Sequence, residues 1–305
     1  MGGPHRKMEW VNGRAYAVLD TLSRKNGTRL KVGHRGRAYA LLILPAGPAT
    51  RDHVRAFERL VEGNGNYPRV LDREDRGGEV RLLTSWVEGH TLHWYLARGR
   101  DRPREWPGLG RTVTLVRGLA HALFLTHHRA SLVHTDIKPA NLVLARGPDR
   151  LVLIDFGSAL TAERATRRAH TSGATAEYAA PEVWAATPDF RADIFSASVI
   201  AYEMLTGKLP FEGLGGKIAH PDYAAADPPR PEPPSRSLKH PSPLPKSALR
   251  VLDAAVTGGL ALDRDRRFPA PGDFREAWSK VADALRDAER PGWLHRLVGR
   301  FRRPG

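Results

Sequence analysis

The chain has 305 residues, 41% of them hydrophobic, enough for one large domain or for two lobes with their own cores. It contains no cysteine, which excludes disulfides and thiolate metal sites. Its net charge is +15, carried by 48 basic residues of which only nine are lysine. No Cys/His finger or aromatic-glycine RNA signature accompanies that charge, so nucleic acid is not an expected partner. The excess of arginine, with abundant Ala, Gly and Pro, reads as a solvated surface encoded by a GC-rich bacterial genome.

The N-terminus, "MGGPHRKMEW", lacks the apolar stretch of a signal peptide. The longest apolar run, near "YALLILPA", is too short to span a bilayer, so a cytoplasmic chain is expected. Residues 1–13 read as an extension. "RAYAVLDTL", "TRLKV" and "RAYALLIL", separated by the turns "RKNGT" and "GHRG", predict strands between residues 14 and 44. "TRDHVRAFERLVEG" then places Val54, Phe57, Leu60 and Val61 at helical spacing. Strand patterns return at "RVLD" and "EVRLLTSWV". From about Gly89 the chain turns helical, with the long amphipathic "RTVTLVRGLAHALFLTHHRA". "DIFSASVIAYEML" is apolar almost all round and predicts a buried helix. Residues 221–245 are Pro-rich and cannot be regular helix, and helical patterning resumes from Ser247 to about Ala288. The organisation expected is a β-rich lobe over 14–88, a helix-rich lobe over 89–288 and a tail over 289–305.

The chemistry concentrates in "LVHTDIKPANLVLARGPDRLVLIDFGSA", residues 132–159. Two aspartates, Asp136 and Asp155, follow short apolar runs, with Lys138 and Asn141 between them. Two carboxylates and an amide are hard oxygen donors of the kind that hold magnesium against a substrate's phosphates. One of the two could instead accept a proton from an attacking hydroxyl, and the ammonium could stabilise a transferring phosphoryl group. Each piece alone also reads as a turn or cap residue.

The ordered set says more. "HTDIKPAN" is followed by "DFG", "ATAEYAAPE", "DIFS", "LTGKLPF" and "DRDRRF". This order and spacing resembles the eukaryotic-type protein kinase family over about residues 15–285. The resemblance implies a two-lobed α+β fold, a small β-rich lobe with one main helix above a larger helical lobe, with ATP in the cleft between them. It implies serine/threonine kinase activity on a protein substrate, with magnesium, or manganese in its place. The roles it implies are Asp136 as catalytic base, Lys138 on the γ-phosphate, and Asn141 and Asp155 on the metal. Thr84 falls at the gatekeeper position, with Ser85, Trp86 and Val87 as the hinge that bonds adenine. Thr175 matches the threonine that bonds the catalytic aspartate and lysine. Glu182 is expected to pair with Arg267, Asp193 to hold the catalytic loop's backbone, and His134 matches the family's structural histidine.

The chain departs from that family in its first lobe. In "RAYALLIL", Ala40 matches the alanine of the family's A-x-K run, but Leu42 stands where the phosphate-binding lysine belongs. The Gly-rich loop is reduced to Gly27. Glu58, ten residues before Pro68, matches the helix glutamate that would pair with the lysine; without that lysine it is expected to be solvated, paired with an arginine, or part of a changed arrangement. The with-no-lysine kinases resemble this case, because their lysine comes from the neighbouring strand. Lys25, Arg29 and Lys31 lie on or near that strand here, and Arg29 and Lys31 share one of its faces. The alternative is a pseudokinase, acting as a scaffold or a nucleotide-sensing regulator. Thr135 replaces the family's frequent arginine before the catalytic aspartate, so pairing with a phosphorylated loop (Thr166, Thr171 and Ser172 lie in it) is not expected.

In the tail, "PGWLHRLVGRFRRPG" spaces Trp293, Leu297 and Phe301 four apart among arginines. That pattern suits a basic amphipathic helix for an anionic membrane surface or a partner groove, or a last helix packed on the large lobe.

Overall fold

Alternation of apolar and polar residues folds the first part of the chain into a six-stranded antiparallel sheet. The computed structural model describes residues 7–24, 27–62, 65–147, 149–161, 176–185, 188–219, 230–240 and 244–289. The strands are β1 (Met8–Val11), β2 (Arg14–Ser23), β3 (Thr28–His34), β4 (Arg37–Pro45), β5 (Val70–Arg76) and β6 (Glu79–Ser85), in the order β1-β2-β3-β4-β6-β5. Turns with positive φ at both central residues, Asn12–Gly13 and Arg35–Gly36, close the first and third hairpins, matching the twist of the strands. The sheet begins earlier than residue 14. Met8–Val11 pairs with β2 and buries Val11 fully, so this part of the expected extension is an edge strand of the lobe.

One face of the sheet gathers Val11, Tyr16, Leu30, Val32, Leu41 and Leu83 into a small core of its own. The other face, with Leu44, Val80 and Leu82, joins the main core through Val54, Phe57 and Leu60 of α1 (Pro48–Val61). The α1 pattern is the one its sequence spacing requires, because buried residues recur three and four apart.

The second lobe is helical. Its described helices are α2 (Leu92–Asp101), α3 (Leu109–Ala130), α4 (Pro181–Ala185), α5 (Phe190–Thr206), α6 (Lys246–Gly259) and α7 (Pro271–Glu289). Short strands β7 (Gly89–Thr91), β9 (Leu142–Ala145) and β10 (Leu151–Leu153) form one small sheet, and β8 (Leu132–Val133) pairs with β11 (Leu160–Thr161). Helix α5 is buried from Ala192 to Thr206, as an all-round apolar helix must be. Its N-cap is Asp189, whose side chain accepts from the Arg191 amide at 2.8 Å. Arg267 donates to Glu182 through two guanidinium nitrogens, at 2.9 Å for Nη2, and ties α4 to the segment before α7. No described helix is long and apolar enough to cross a membrane.

Candidate active site

A cavity of about 450 Å³ separates the lobes. From the sheet side it is walled by Arg29, Ala40, Leu42 and Thr84, and from the helical side by Lys138, Asn141 and Asp155. Ser85, Trp86 and Val87 close it where the chain passes from one lobe to the other.

The floor is built by backbone clamping. Asp193, fully buried on α5, accepts from the amides of His134 and Thr135 at 2.8 Å each, and from His127 Nε2 at 2.8 Å. Thr135 has φ +64°, a left-handed conformation that a β-branched residue adopts only when its surroundings impose it. Its hydroxyl donates to the Ser158 carbonyl at 3.0 Å, tying the Asp136 loop to the Asp155 segment. This strained turn aims the next residue, Asp136, whose Oδ2 lies 2.8 Å from Lys138 Nζ. Asn141 Nδ2 donates to the Asp136 carbonyl at 2.8 Å and to Oδ2 at 3.1 Å. With its nitrogen so engaged, Asn141 keeps Oδ1 as the group left to accept a cation.

Asp155 follows β10 in the chain. Its Oδ1 accepts from the Gly157 amide at 2.9 Å, and its Oδ2 forms an ion pair with Arg29 Nη1. Both side chains are largely withdrawn from water, 18% exposed for Arg29 and 14% for Asp155. Burial lowers the Arg29 pKa to about 10, against a raising influence from Asp136, so the guanidinium is charged at neutral pH. A side chain at 157 would meet the Arg29 guanidinium, so any larger residue there displaces Arg29 from its present position.

The register explains why Arg29 reaches this point. Arg29 is the direct cross-strand partner of Leu42 on β4, and directly opposed residues project from the same face of a sheet. Lys31 is opposed to Ala40, two pairs nearer the hinge. Its Nζ sits 4.3 Å from the centre of the Trp86 ring, a cation–π contact. Of the cations considered on or near this strand, Arg29 is the one that faces Asp155, while Lys31, expected near the nucleotide, lies against the hinge. Lys25 lies outside the described residues, as do Thr166, Thr171, Ser172, Thr175 and the tail from residue 290.

Two further residues expected at the cofactor lie elsewhere. Glu58, left without its lysine, pairs with an arginine: its Oε2 accepts from Arg73 Nη1 of β5 at 3.2 Å. The face of α1 that lines the cavity carries His53, Val54 and Phe57, and Glu58 is one residue, about 100°, further round. Gly27, with φ +112°, lies against Ile43 and Leu44 of β4, where any side chain would meet the Ile43 carbonyl. Its conformation serves the approach of two strands, and it is absent from the cavity lining.

His53 and the ring stack beneath it carried no signal in the sequence. Burial holds the His53 imidazole down to about 4, against a smaller raising influence from its hydrogen bonds to the Ala159 and Phe156 backbone, so it is neutral at physiological pH. Phe156 lies between Phe57, at 4.6 Å between ring centres, and His134 at 4.8 Å. His134 is likewise held neutral, its pKa lowered to about 4 by complete burial. These contacts join α1 to the Asp136 loop through the segment that bears Asp155.

The donor set fits a hard divalent cation, since the Asp155 carboxylate and the free Asn141 oxygen open on one cavity. The cleft thus gathers a carboxylate beside an ammonium, two further side-chain oxygens and a guanidinium across from them, groups of the kind that phosphoryl transfer can use.

Residues 74–258, more than half of the chain, match the Protein kinase domain family. The match begins after β4, so the strands bearing Arg29 and Leu42 lie outside it. Serine/threonine-protein kinase PknJ of Mycobacterium tuberculosis is 34% identical over 238 residues, covering 75% of this chain and 37% of PknJ. Serine/threonine-protein kinase PknE of the same organism is 34% identical over 304 residues, 94% of this chain and 48% of PknE. Serine/threonine-protein kinase pkn3 of Myxococcus xanthus is 30% identical over 271 residues, 75% of this chain and 47% of pkn3. The chain thus spans less than half the length of these curated relatives. Among solved structures, the kinase domain of M. tuberculosis PknI superposes with a TM-score of 0.57 at 24% identity, over 88% of this chain and 95% of that one, a likeness of fold. By fold, by site geometry and by these matches, the chain belongs to the protein kinase domain family.

Proposed function

We propose that the chain transfers the γ-phosphoryl group of ATP to a serine or threonine hydroxyl of a protein, and that Arg29 stands in for the missing lysine. The observation that carries this reading is the Arg29 guanidinium, placed by β3 opposite Leu42 and turned onto Asp155. In this reading the adenine lies against Ala40 and Thr84, with the Ser85–Val87 backbone bonding its edge. The phosphates extend toward Arg29 and Lys138. Asp136 orients the acceptor hydroxyl and takes its proton as the new O–P bond forms. Lys138, already paired with Asp136, neutralises charge on the transferring oxygens. Asn141 and Asp155 would hold magnesium, which supplies charge neutralisation at the phosphates when bound.

One observation favours a second reading. Arg29 occupies the Asp155 oxygen that a metal needs, so a chain in which Arg29 never leaves Asp155 would be a nucleotide-sensing regulator and not an enzyme. Transfer from γ-labelled ATP, with magnesium and then manganese, to a generic protein substrate separates the two. Label that disappears in Asp136→Ala supports the kinase; ATP binding without transfer, under both metals, supports the regulator.

A further inference from the structure

Behind the hinge lies a second cavity, of about 510 Å³. Its floor is apolar, with Val61, Tyr67 and Val152 among its residues, and its rim carries Arg69, Arg146 and Arg150. Each of these arginines is exposed, and none forms an ion pair among the described residues. Some first-lobe arginines have carboxylates, since Arg51 and Arg73 reach Asp75 and Arg81 reaches Glu9 and Glu79, while others such as Arg35 and Arg37 stand exposed without one among the described residues; what sets the groove apart is that three such arginines ring one apolar floor. Glu88 is the one acidic residue in the lining, so three cations face a single carboxylate. The Arg150 guanidinium rests against the backbone of Gly65, where a side chain would collide with it. The groove and the cleft have a common wall, since Ser85, Trp86 and Val87 line both.

We propose that this rear groove is a docking site for an acidic peptide segment of a partner protein, with apolar side chains on the Val61–Val152 floor and carboxylates on the three arginines. Charge complementarity selects this occupant, because a surplus of unpaired guanidiniums over an apolar floor fits carboxylates interspersed with apolar residues. An occupant presses on the hinge from behind, so it alters nucleotide affinity in the cleft, and nucleotide alters peptide affinity by the same factor. That second half rests on the cleft being a nucleotide site.

The test is fluorescence anisotropy on the full chain with a labelled peptide of glutamates flanking two leucines, at low and at high salt. Removing all three rim charges, R69A/R146A/R150A, is expected to weaken binding about tenfold or more. A control variant, R35A/R37A/R104A, removes three exposed arginines away from the groove and is expected to bind as the unaltered chain does. Equal loss in both variants, or no binding at all, overturns the proposal, because the peptide then follows only the overall positive charge or has no site. A fluorescent ATP analogue, titrated with and without saturating peptide, reads the coupling. Unchanged analogue affinity removes the coupling and leaves the docking site. Failure of the analogue to bind in either condition counts against the nucleotide site itself and leaves the anisotropy result standing.

Discussion

At the scale of the residue, the chain turns on one cross-strand pair. An aliphatic residue at 42 removes a cation, and an arginine opposite it, at 29, returns one to the same face of the sheet. A charge-assisted phosphate contact contributes about 1.5–3 kcal/mol, so Arg29→Leu is expected to weaken ATP binding about tenfold to a hundredfold. Lys31→Ala, which removes only the contact with the Trp86 ring, is expected to change ATP affinity far less. Titration of both variants with a fluorescent ATP analogue checks the contrast. Glu58 gives the opposite case. Its partner is a half-buried arginine on β5, so Glu58→Ala is expected to leave phosphate transfer intact and to cost no more than about 1 kcal/mol in urea unfolding. Asp136, Lys138, Asn141 and Asp155 were legible as a group from the order of the motifs, and in the structure Asp136 meets Lys138 and Asn141 while Asp155 opens on the same cavity as those two. Arg29 was legible only as one of three cations, since alternation says that 29 and 31 share a face and does not say which of the two stands opposite 42. His53 gave no signal, because which residue of α1 meets the cleft depends on how the helix is rotated against Phe156.

At the scale of the element, α5 organises the floor of the cleft. Its all-round apolar sequence forces burial, and burial makes Asp193 an acceptor for the loop that carries Asp136. Asp193→Ala leaves two buried amides and His127 without their acceptor. Each such orphan costs about 1–3 kcal/mol, so a loss of several kcal/mol is expected in denaturant unfolding, together with loss of transfer. Strand β3 is the second organising element. It was predicted as a strand from "TRLKV", but the part played by its hairpin with β2 was not, because Gly27 suggested a phosphate loop. The glycine instead permits close packing on β4. Edge strand β1 was missed because four residues beside a basic, Gly-rich N-terminus carry too short an alternation to separate from an extension.

At the scale of the whole molecule, the two lobes are joined by a column of rings, Phe57 and Phe156 above His134, which the clamp on Asp193 fixes below. Two of the groups in and beside this column are histidines held neutral, and that links the fold to pH. In the unfolded chain both bind protons below the ordinary value of 6.5, whereas in the folded chain their pKa values lie at about 4. The unfolded state therefore binds more protons between those values. The stabilising contribution is complete above pH 6.5 and is lost as pH falls toward 4. The melting temperature is expected to fall across that window, and His53→Gln is expected to flatten the slope, which thermal unfolding in buffers of matched ionic strength reads directly. The two-lobed architecture was itself legible in the sequence, from the change in hydrophobic period near Gly89 and from the order of the motifs. Which of the three cations faces Asp155 was not, because that depends on strand register. The measurement that bears most directly on the account is therefore a swap across that register: ATP affinity and phosphate transfer in the unaltered chain, in Arg29→Leu, and in Arg29→Leu combined with Leu42→Lys. The account expects loss in the single variant and recovery in the double, since a lysine at 42 projects from the same face as Arg29. Unchanged ATP affinity and transfer in Arg29→Leu would contradict it.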